Sequence, residues 1–306
     1  MIKKVIFMGT PTYADTILAK LIASQNIEVV AVYTQPDKPV GRKKIMTPPS
    51  VKVRAVENGI DVYQPAKLRD SDVVTELLQL PCDYIVVAAY GQILPKEILN
   101  HAPSINLHAS ILPQYRGASP IQQTLLHGDK QTGVTAMLME EGLDTGAILK
   151  IKTLEVNPNE MLEGLFDKLT LLAAELTLDV LENFTQYKAI NQDERKATYC
   201  KKITKADGLI SFNEDAQEIY NKYRAFTPWP GIYLENGLKL KKIQLNHTQY
   251  NNANIGQIVV IDKDSIVVTC KHGAIQIYKV QPQSKKEMDV LAYINGKRLQ
   301  LEDNFL

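Results

Sequence analysis

The sequence predicts an α/β fold in which a mostly parallel sheet domain precedes a smaller β domain. Up to about residue 184, apolar strand-like runs alternate with amphipathic helical segments, a pattern typical of βαβ units. From Gly208 onward, short alternating runs are separated by Asn, Asp and Gly turns, as in small antiparallel domains. We therefore expect a Rossmann-like sheet followed by a C-terminal, OB-like β-barrel.

The elements of each domain follow from local periodicity. Strands are predicted at residues 4–9, 28–33, 83–89, 104–108, 133–139 and 147–151, and helices at 12–24, 118–127 and 159–184. In the second domain, strands are predicted at residues 238–245, 256–261, 265–270 and 274–280. The predicted domains are 1–189 and 207–306, joined by a basic linker at 190–206.

Composition restricts the class of protein. The 306 residues are 45% hydrophobic and 23% charged, which is ordinary for globular domains, and no run of eighteen apolar residues occurs. We expect a cytoplasmic protein and a monomer. The three cysteines, Cys82, Cys200 and Cys270, form no CxxC motif, so neither disulfides nor a metal site is expected.

Positive charge is concentrated between the two predicted domains. Residues 1–187 carry 17 Lys and Arg against 21 Asp and Glu, residues 188–205 carry 6 against 2, and residues 206–306 carry 12 against 11. A polyanion passing over the middle segment would gain affinity by releasing counterions. A solvated linker that touches nothing is the equally favoured alternative.

A second basic segment follows the second predicted strand. Residues 34–50 contain four prolines and the cluster Arg42-Lys43-Lys44, so neither helix nor strand is expected there. Such loops suit phosphate contact, because Arg binds a phosphate in bidentate fashion and Lys binds it as a point charge.

Two polar side chains share one face of the strand at residues 104–108. Side chains alternate along an extended chain, so Asn106 and His108 point the same way. Pro113, Gly117 and Pro120 then end the strand, and strand ends that open into loops are where α/β sheets keep their active sites. A single histidine in such a place is more often structural than catalytic.

The motifs around this strand resemble those of the folate-dependent formyltransferase family. Order and spacing are shared over about forty residues, in the segments Asn106-Leu-His-Ala-Ser-Ile-Leu-Pro113, Arg116-Gly117, Pro120-Ile-Gln122, Gly133-Val-Thr135 and Gly142-Leu-Asp-Thr-Gly146. With the basic loop and the segment Phe226-Thr-Pro-Trp-Pro-Gly231, the resemblance covers essentially the whole chain and extends to members that act on charged initiator tRNA.

The resemblance implies a reaction and roles for three residues. The formyl group of 10-formyltetrahydrofolate would pass to the α-amino group of methionine on initiator Met-tRNA, for translation initiation. Asn106 and His108 would stabilise the oxyanion and the leaving group, and Asp144 would orient the imidazole and relay the amine proton. These residue types fit formyl transfer, because the tetrahedral intermediate needs hydrogen-bond donors and the leaving nitrogen needs a proton. The amine itself is the nucleophile, so no metal is required.

The resemblance also implies binding residues. The folate would lie against Tyr90, Ile93, Leu94, Ser110, Ile111, Leu112, Pro113, Gly142 and Leu143, and the tRNA against Arg42, Lys43 and Lys44. Arg116 and Gly117 would hold the catalytic loop. The apolar members of the folate set could equally be ordinary core.

Other functions remain open at this level. A formyltransferase acting on a small amine, such as an amino sugar or a purine-pathway ribonucleotide, would use the same three polar residues but would not need the basic loop or the β domain. A non-enzymatic RNA-binding protein on the same core would not need Asn106, His108 and Asp144. A dinucleotide site is not expected, because Gly9-Thr-Pro-Thr lacks the GxGxxG spacing.

Overall fold

The computed structural model describes residues 2–41, 43–250 and 252–306 and divides into two compact units. The first unit comprises Met1–Pro120, Gln131–Val156 and Gly164–Lys201, and the second comprises Ile121–Lys130, Asn157–Glu163 and Lys202–Leu306. None of the helices in the described ranges is long and apolar enough to cross a membrane.

The strands of the first unit are numbered in chain order. They are β1 (Lys3–Gly9), β2 (Ile27–Tyr33), β3 (Lys38–Val40), β4 (Ile45–Thr47), β5 (Val62–Tyr63), β6 (Tyr84–Ala88), β7 (Ser104–His108), β8 (Arg116–Gly117), β9 (Gln131–Leu138), β10 (Ile148–Glu155) and β11 (Tyr199–Cys200). Those described in the second unit are β12 (Ile232–Tyr233), β13 (Lys239–Asn246), β14 (Ile258–Ile261), β15 (Ile266–Thr269), β16 (Ala274–Gln281) and β17 (Met288–Asp289).

The helices are numbered in the same way. They are α1 (Thr12–Ile22), α2 (Ser50–Glu57), α3 (Ser71–Leu78), α4 (Lys96–Leu99), α5 (Pro120–His127), α6 (Leu162–Glu182), α7 (Ala216–Phe226) and α8 (Val290–Lys297). Short 3-10 helices occur at Phe184–Gln186, Glu194–Lys196 and Lys205–Gly208.

A seven-stranded sheet organises the first unit, in the order β10-β9-β7-β6-β1-β2-β5. The five strands from β7 to β5 run parallel, and β9 and β10 pair antiparallel at one edge. Val5 to Met8 at its centre are fully buried, as expected for a strand covered on both faces. The predicted mostly parallel sheet is confirmed. The chain turns from β5 back to β6 on the other side of β1, so a crevice is expected at the carboxyl ends of β1 and β6.

The basic loop contains more regular structure than the sequence suggested. Within residues 34–50, β3 and β4 pair as an antiparallel hairpin in which Pro39 faces Met46. Proline is tolerated there because both strands of a two-stranded ribbon are edge strands.

Up to Lys201, the segment predicted as a linker is attached to the first unit. Ile190 pairs with Ile148 at the start of β10, and β11 pairs in parallel with β8. Residues 190–201 are therefore held on the first unit by backbone hydrogen bonds.

The second unit contains an antiparallel sheet in the order β12-β13-β16-β15-β14, with β17 beside β16. The predicted antiparallel β domain is confirmed, with β12 and β14 at the edges of this sheet. Helices α7 and α8 were not predicted. Helix α7 begins with a capping box in which the Glu218 carboxylate accepts a hydrogen bond from the Asp215 amide at 3.2 Å.

Candidate active site

Strand β7 carries the two polar residues that the sequence placed on one face. Asn106 pairs with Val87 of β6 and Met137 of β9, and His108 pairs with Thr135 of β9. Both residues therefore lie inside the sheet, near the carboxyl end of β7. Strand pairing fixes their direction, on both sides at Asn106 and on the β9 side at His108.

Asp144 approaches the same place from the loop between β9 and β10. Its Oδ1 accepts a hydrogen bond from Asn106 Nδ2 at 3.5 Å, and its Oδ2 lies 3.6 Å from His108 Nδ1. The Gly117 amide donates to Oδ2 at 2.8 Å. The structure thus brings together the amide, the imidazole and the carboxylate, although Asn106 and Asp144 are 38 residues apart in the chain.

A hydrogen bond at Nε2 fixes the tautomer of the His108 imidazole. His108 Nε2 lies 2.9 Å from the Tyr115 carbonyl oxygen, which can only accept a hydrogen bond. Nε2 therefore carries a hydrogen, and in the neutral ring the lone pair is on Nδ1, facing Asp144. This arrangement leaves a position between Nδ1 and the carboxylate where one proton can be held.

The Thr135 hydroxyl ties the loop after β7 to β9. Thr135 Oγ1 donates to the Ser110 carbonyl at 2.7 Å and accepts from the Leu112 amide at 3.1 Å. Ser110 Oγ donates to the Gln114 carbonyl at 2.5 Å. These bonds hold the loop that leads to Tyr115, whose carbonyl meets His108.

Strands β8 and β11 approach unusually closely at Gly117. Its φ is +116°, and a Cβ built there would lie 2.3 Å from the Cys200 carbonyl oxygen. Only glycine fits this conformation and this spacing. The requirement explains the glycine of the Arg-Gly motif, whose amide contacts Asp144.

The buried Arg116 anchors a polar cluster beside the site. Its Nη1 and Nη2 donate to both carboxylate oxygens of Glu194, at 2.9 and 2.7 Å, and Nη1 also donates to the Tyr199 hydroxyl at 3.1 Å. The hydrogen bonds to Glu194 raise the pKa of the Arg116 guanidinium, and the same bonds lower the pKa of the Glu194 carboxyl. Gln192 also accepts hydrogen bonds from this guanidinium. Arg116 was expected to hold the loop, but its partners were not predicted.

The residues predicted to contact the folate fall into two groups. Tyr90, Leu94, Ser110 and Leu112 are buried. Ile93 and Leu143, by contrast, are 86% and 64% exposed, Gly142 is exposed, and Ile111 and Pro113 are partly exposed. The exposed apolar members can contact a planar ligand directly, whereas the buried ones can only support such a surface.

Tyr90 also belongs to a polar network at the carboxyl edge of the sheet. Its carbonyl accepts hydrogen bonds from Thr10 Oγ1 and Gln35 Nε2, both at 3.2 Å. Burial raises the pKa of the Tyr90 phenol, whose hydroxyl has no hydrogen-bond partner among the described residues. The ends of β1, β2 and β6 are therefore fastened together at the crevice.

The base of the β3–β4 hairpin is held by side chains. Asp37 accepts hydrogen bonds from Gln64 at 2.8 Å and from Lys52 at 2.9 Å, and these bonds lower the pKa of its carboxyl. Lys43 and Lys44 are exposed near the turn. Arg42 lies outside the described residues.

Two family models match the chain. The formyl transferase model matches residues 3–181, and the model of the formyl transferase C-terminal domain matches residues 202–298. The chain belongs to the formyl transferase family. The resemblance inferred from the motifs is therefore confirmed.

Relatives and solved structures of this family extend the comparison. A protein of Sulfurimonas denitrificans named methionyl-tRNA formyltransferase is 64% identical over 300 residues, covering 98% of this chain and 99% of its own. One of the same name from Nitratiruptor is 55% identical over 304 residues, covering 99% of both chains. A Helicobacter canadensis N-formyltransferase, solved with folinic acid and dTDP-3-aminofucose, has a TM-score of 0.68 at 20% identity and covers 92% of this chain and 100% of its own.

Proposed function

We propose that this formyl transferase transfers the formyl group of 10-formyltetrahydrofolate to the α-amino group of methionine on initiator tRNA. The observation that carries the proposal is identity of 64% over nearly the full length of a relative named methionyl-tRNA formyltransferase. Because charged tRNA is the acceptor, we place the reaction in the cytoplasm, and we propose that the protein acts as a monomer.

The geometry supports a direct transfer. The methionine amine attacks the formyl carbon, a C–N bond forms, and the carbonyl oxygen becomes an oxyanion. Asn106 Nδ2 is a hydrogen-bond donor at the site, and positioned donors stabilise such oxyanions. The intermediate collapses when the bond between the formyl carbon and the folate N10 breaks.

His108 and Asp144 move the proton in this scheme. The attacking amine loses a proton to His108 Nδ1, directly or through water, and Asp144 Oδ2 at 3.6 Å stabilises the imidazolium. The imidazolium then protonates the leaving nitrogen of the folate. Because the Tyr115 carbonyl fixes the ring through Nε2, the same Nδ1 serves both steps.

The folate is proposed to lie against the exposed apolar side chains at the site. Ile93, Ile111 and Leu143 would cover the pterin, with Pro113 and Gly142 beside them. The buried residues Tyr90, Leu94, Ser110 and Leu112 would support this surface. Burial of an apolar ring face against exposed apolar side chains is favourable.

The tRNA is proposed to contact the β3–β4 hairpin. Lys43 and Lys44 are exposed there, and Arg42 of the same cluster is expected to contribute. Lys43→Ala with Lys44→Ala should raise the KM for charged tRNA and lower the salt slope by about 1 to 2, with the KM for folate unchanged. Lys20→Ala is the control. Lys20 is exposed in the last turn of α1 and so lies away from the carboxyl edge of the sheet, where α1 begins. Equal salt slopes for the hairpin variant and wild type would contradict this assignment.

A formyl-transfer assay tests the function itself. Charged initiator tRNA, charged elongator methionine tRNA and a free amino sugar are compared as acceptors with 10-formyltetrahydrofolate. We expect transfer to initiator tRNA, and transfer to the amino sugar alone would refute the proposal. His108→Ala and Asp144→Ala should each lower kcat by about 100-fold or more, and near-normal kcat in either would refute the mechanism.

A further inference from the structure

Gln192 connects the loop that carries Asp144 to the buried Arg116. Its Nε2 donates to the carbonyl oxygens of Asp144 and Gly146, both at 2.8 Å. Its Oε1 accepts from Arg116 Nε and Nη2, at 3.1 and 2.8 Å. One side chain from the segment after α6 therefore contacts both the loop that carries Asp144 and the arginine.

The orientation of this amide is fixed by its neighbours. Arginine can only donate hydrogen bonds and carbonyl oxygens can only accept them. Gln192 Oε1 must therefore face Arg116, and Nε2 must face the loop. No other uncharged side chain of this length supplies both an acceptor and a two-hydrogen donor.

Arg116 is itself held firmly. It is fully buried, and Glu194 and Tyr199 take the hydrogen bonds of its outer edge. The Oε1 of Gln192 is thus bound to a donor whose position is fixed. The constraint passes through the amide to the loop.

The loop needs such a constraint at Asp144. The φ of this residue is +54°, a left-handed conformation that non-glycine residues adopt at a cost in free energy and keep only where the surroundings fix it. Among the described residues, the Gly117 amide and Asn106 bond the Asp144 carboxylate, and Gln192 bonds its backbone carbonyl. Among the described residues Gln192 is the one that bonds the backbone carbonyl, so it holds the backbone from which the carboxylate reaches His108.

We propose that Gln192 is a positioning residue for Asp144: its paired donors hold the loop in the conformation that aims the carboxylate at His108. This inference rests on the proposed formyl transfer for its kinetic test. A second readout, amide exchange at Gly117, tests it independently of any acceptor.

The kinetic test uses Gln192→Met, which keeps the length of the side chain and removes both donor and acceptor. We expect the single-turnover rate of formyl transfer to fall at least tenfold, about 1.4 kcal/mol in barrier. Gln186→Met is the matched control, since Gln186 is exposed and its side chain, among the described residues, bonds only the Asn183 side chain. It should keep the wild-type rate.

A double-mutant cycle separates positioning from a general structural effect. If Gln192 acts through Asp144, then Gln192→Met should change the rate less than twofold in an Asp144→Asn background. Additive losses would overturn the proposal. So would a wild-type rate in the single variant.

Gln192→Glu covers the possibility that the Met variant folds poorly. One carboxylate oxygen keeps the bonds from Arg116, while the other meets two carbonyl oxygens and offers no hydrogen. We expect a protein that thermal melting shows to be folded at the assay temperature, with at least a tenfold loss of rate. A folded Gln192→Glu with the wild-type rate would refute the role of the paired donors.

Hydrogen exchange supplies the readout that does not depend on the reaction. The Gly117 amide donates to Asp144 Oδ2, so a displaced carboxylate exposes this amide. Its exchange should become at least tenfold faster in Gln192→Met, with Val86 in β6 unchanged. Unchanged exchange at Gly117 would overturn the proposal even if wild type formylates tRNA. Faster exchange in a protein that formylates no tRNA would instead refute the proposed function alone.

Discussion

Gly117→Ala should damage stability and catalysis together, because one backbone position serves both. The new Cβ would lie 2.3 Å from the Cys200 carbonyl oxygen, about 1 Å inside ordinary contact distance. Strands β8 and β11 must separate by a similar amount. The carbonyl that moves also accepts the Ala118 amide at 3.2 Å, and the Arg116 amide bonds Thr198 at 2.8 Å alongside it.

The expected magnitude follows from these contacts. The φ of +116° costs a non-glycine residue about 1–3 kcal/mol, and each weakened backbone hydrogen bond about 1 kcal/mol. The sum is about 4 kcal/mol, which for a unit of this size corresponds to a fall in Tm of about 8–16 °C. The Gly117 amide would also leave the Asp144 carboxylate, and a displacement of about 1 Å can cost about 100-fold in rate.

Gly59→Ala is the control for the backbone conformation alone. Gly59 has a φ of +68°, but nothing lies within 4 Å of a Cβ built there. This variant should lose only about 1–2 kcal/mol and keep the wild-type rate. Thermal melting and single-turnover formyl transfer measure both quantities. If Gly117→Ala lost no more stability than Gly59→Ala, or turned over normally, the reasoning from the close approach of β8 and β11 would be wrong.

Three further predictions concern single groups. The hydrogen bonds from Arg116 lower the pKa of Glu194, so their stabilisation is present above the ordinary value of 4.5 and is lost as pH falls through the lowered one. The difference in Tm between wild type and Glu194→Gln should be largest near pH 6 and shrink below pH 4.5 in melts across pH. Burial raises the pKa of the Cys82 thiol to about 11 and that of Cys270 to about 12, so a thiol reagent at about pH 8 should label both rapidly only after unfolding. Leu169→Ala should cost about 3 kcal/mol in urea unfolding, because Leu169 is fully buried in α6.

The local sequence pattern was sufficient to predict the elements whose core-facing residues recur at a regular spacing. Strand β7 was predicted with the bounds that the structure shows, and α6 to within three residues at its start, since both depend on alternation or on a long apolar stripe. The clustering of Asn106, His108 and Asp144 was expected from the family motifs. Their spacing along the chain would not have shown it, because Asp144 arrives from another loop.

Long-range bonds explain what the sequence did not show. The segment 190–201 lacks apolar periodicity and so resembles a linker, but its polar side chains and backbone bond residues more than seventy positions earlier. Helix α7 carried a readable signal, since Asp215 and Glu218 have the spacing of a capping box. The hairpin β3–β4 was hidden by its prolines, which an isolated ribbon tolerates.

The pairing of β11 with β8 sets where this chain can be divided for engineering. The first family model ends at residue 181, yet Gln192, Glu194, Tyr199 and Cys200 all contact the strand that carries Arg116 and Gly117. A chain cut at residue 189 would keep its large sheet and lose these partners. Chimeras that exchange C-terminal domains between relatives should therefore be joined after Lys201, where the first compact unit ends.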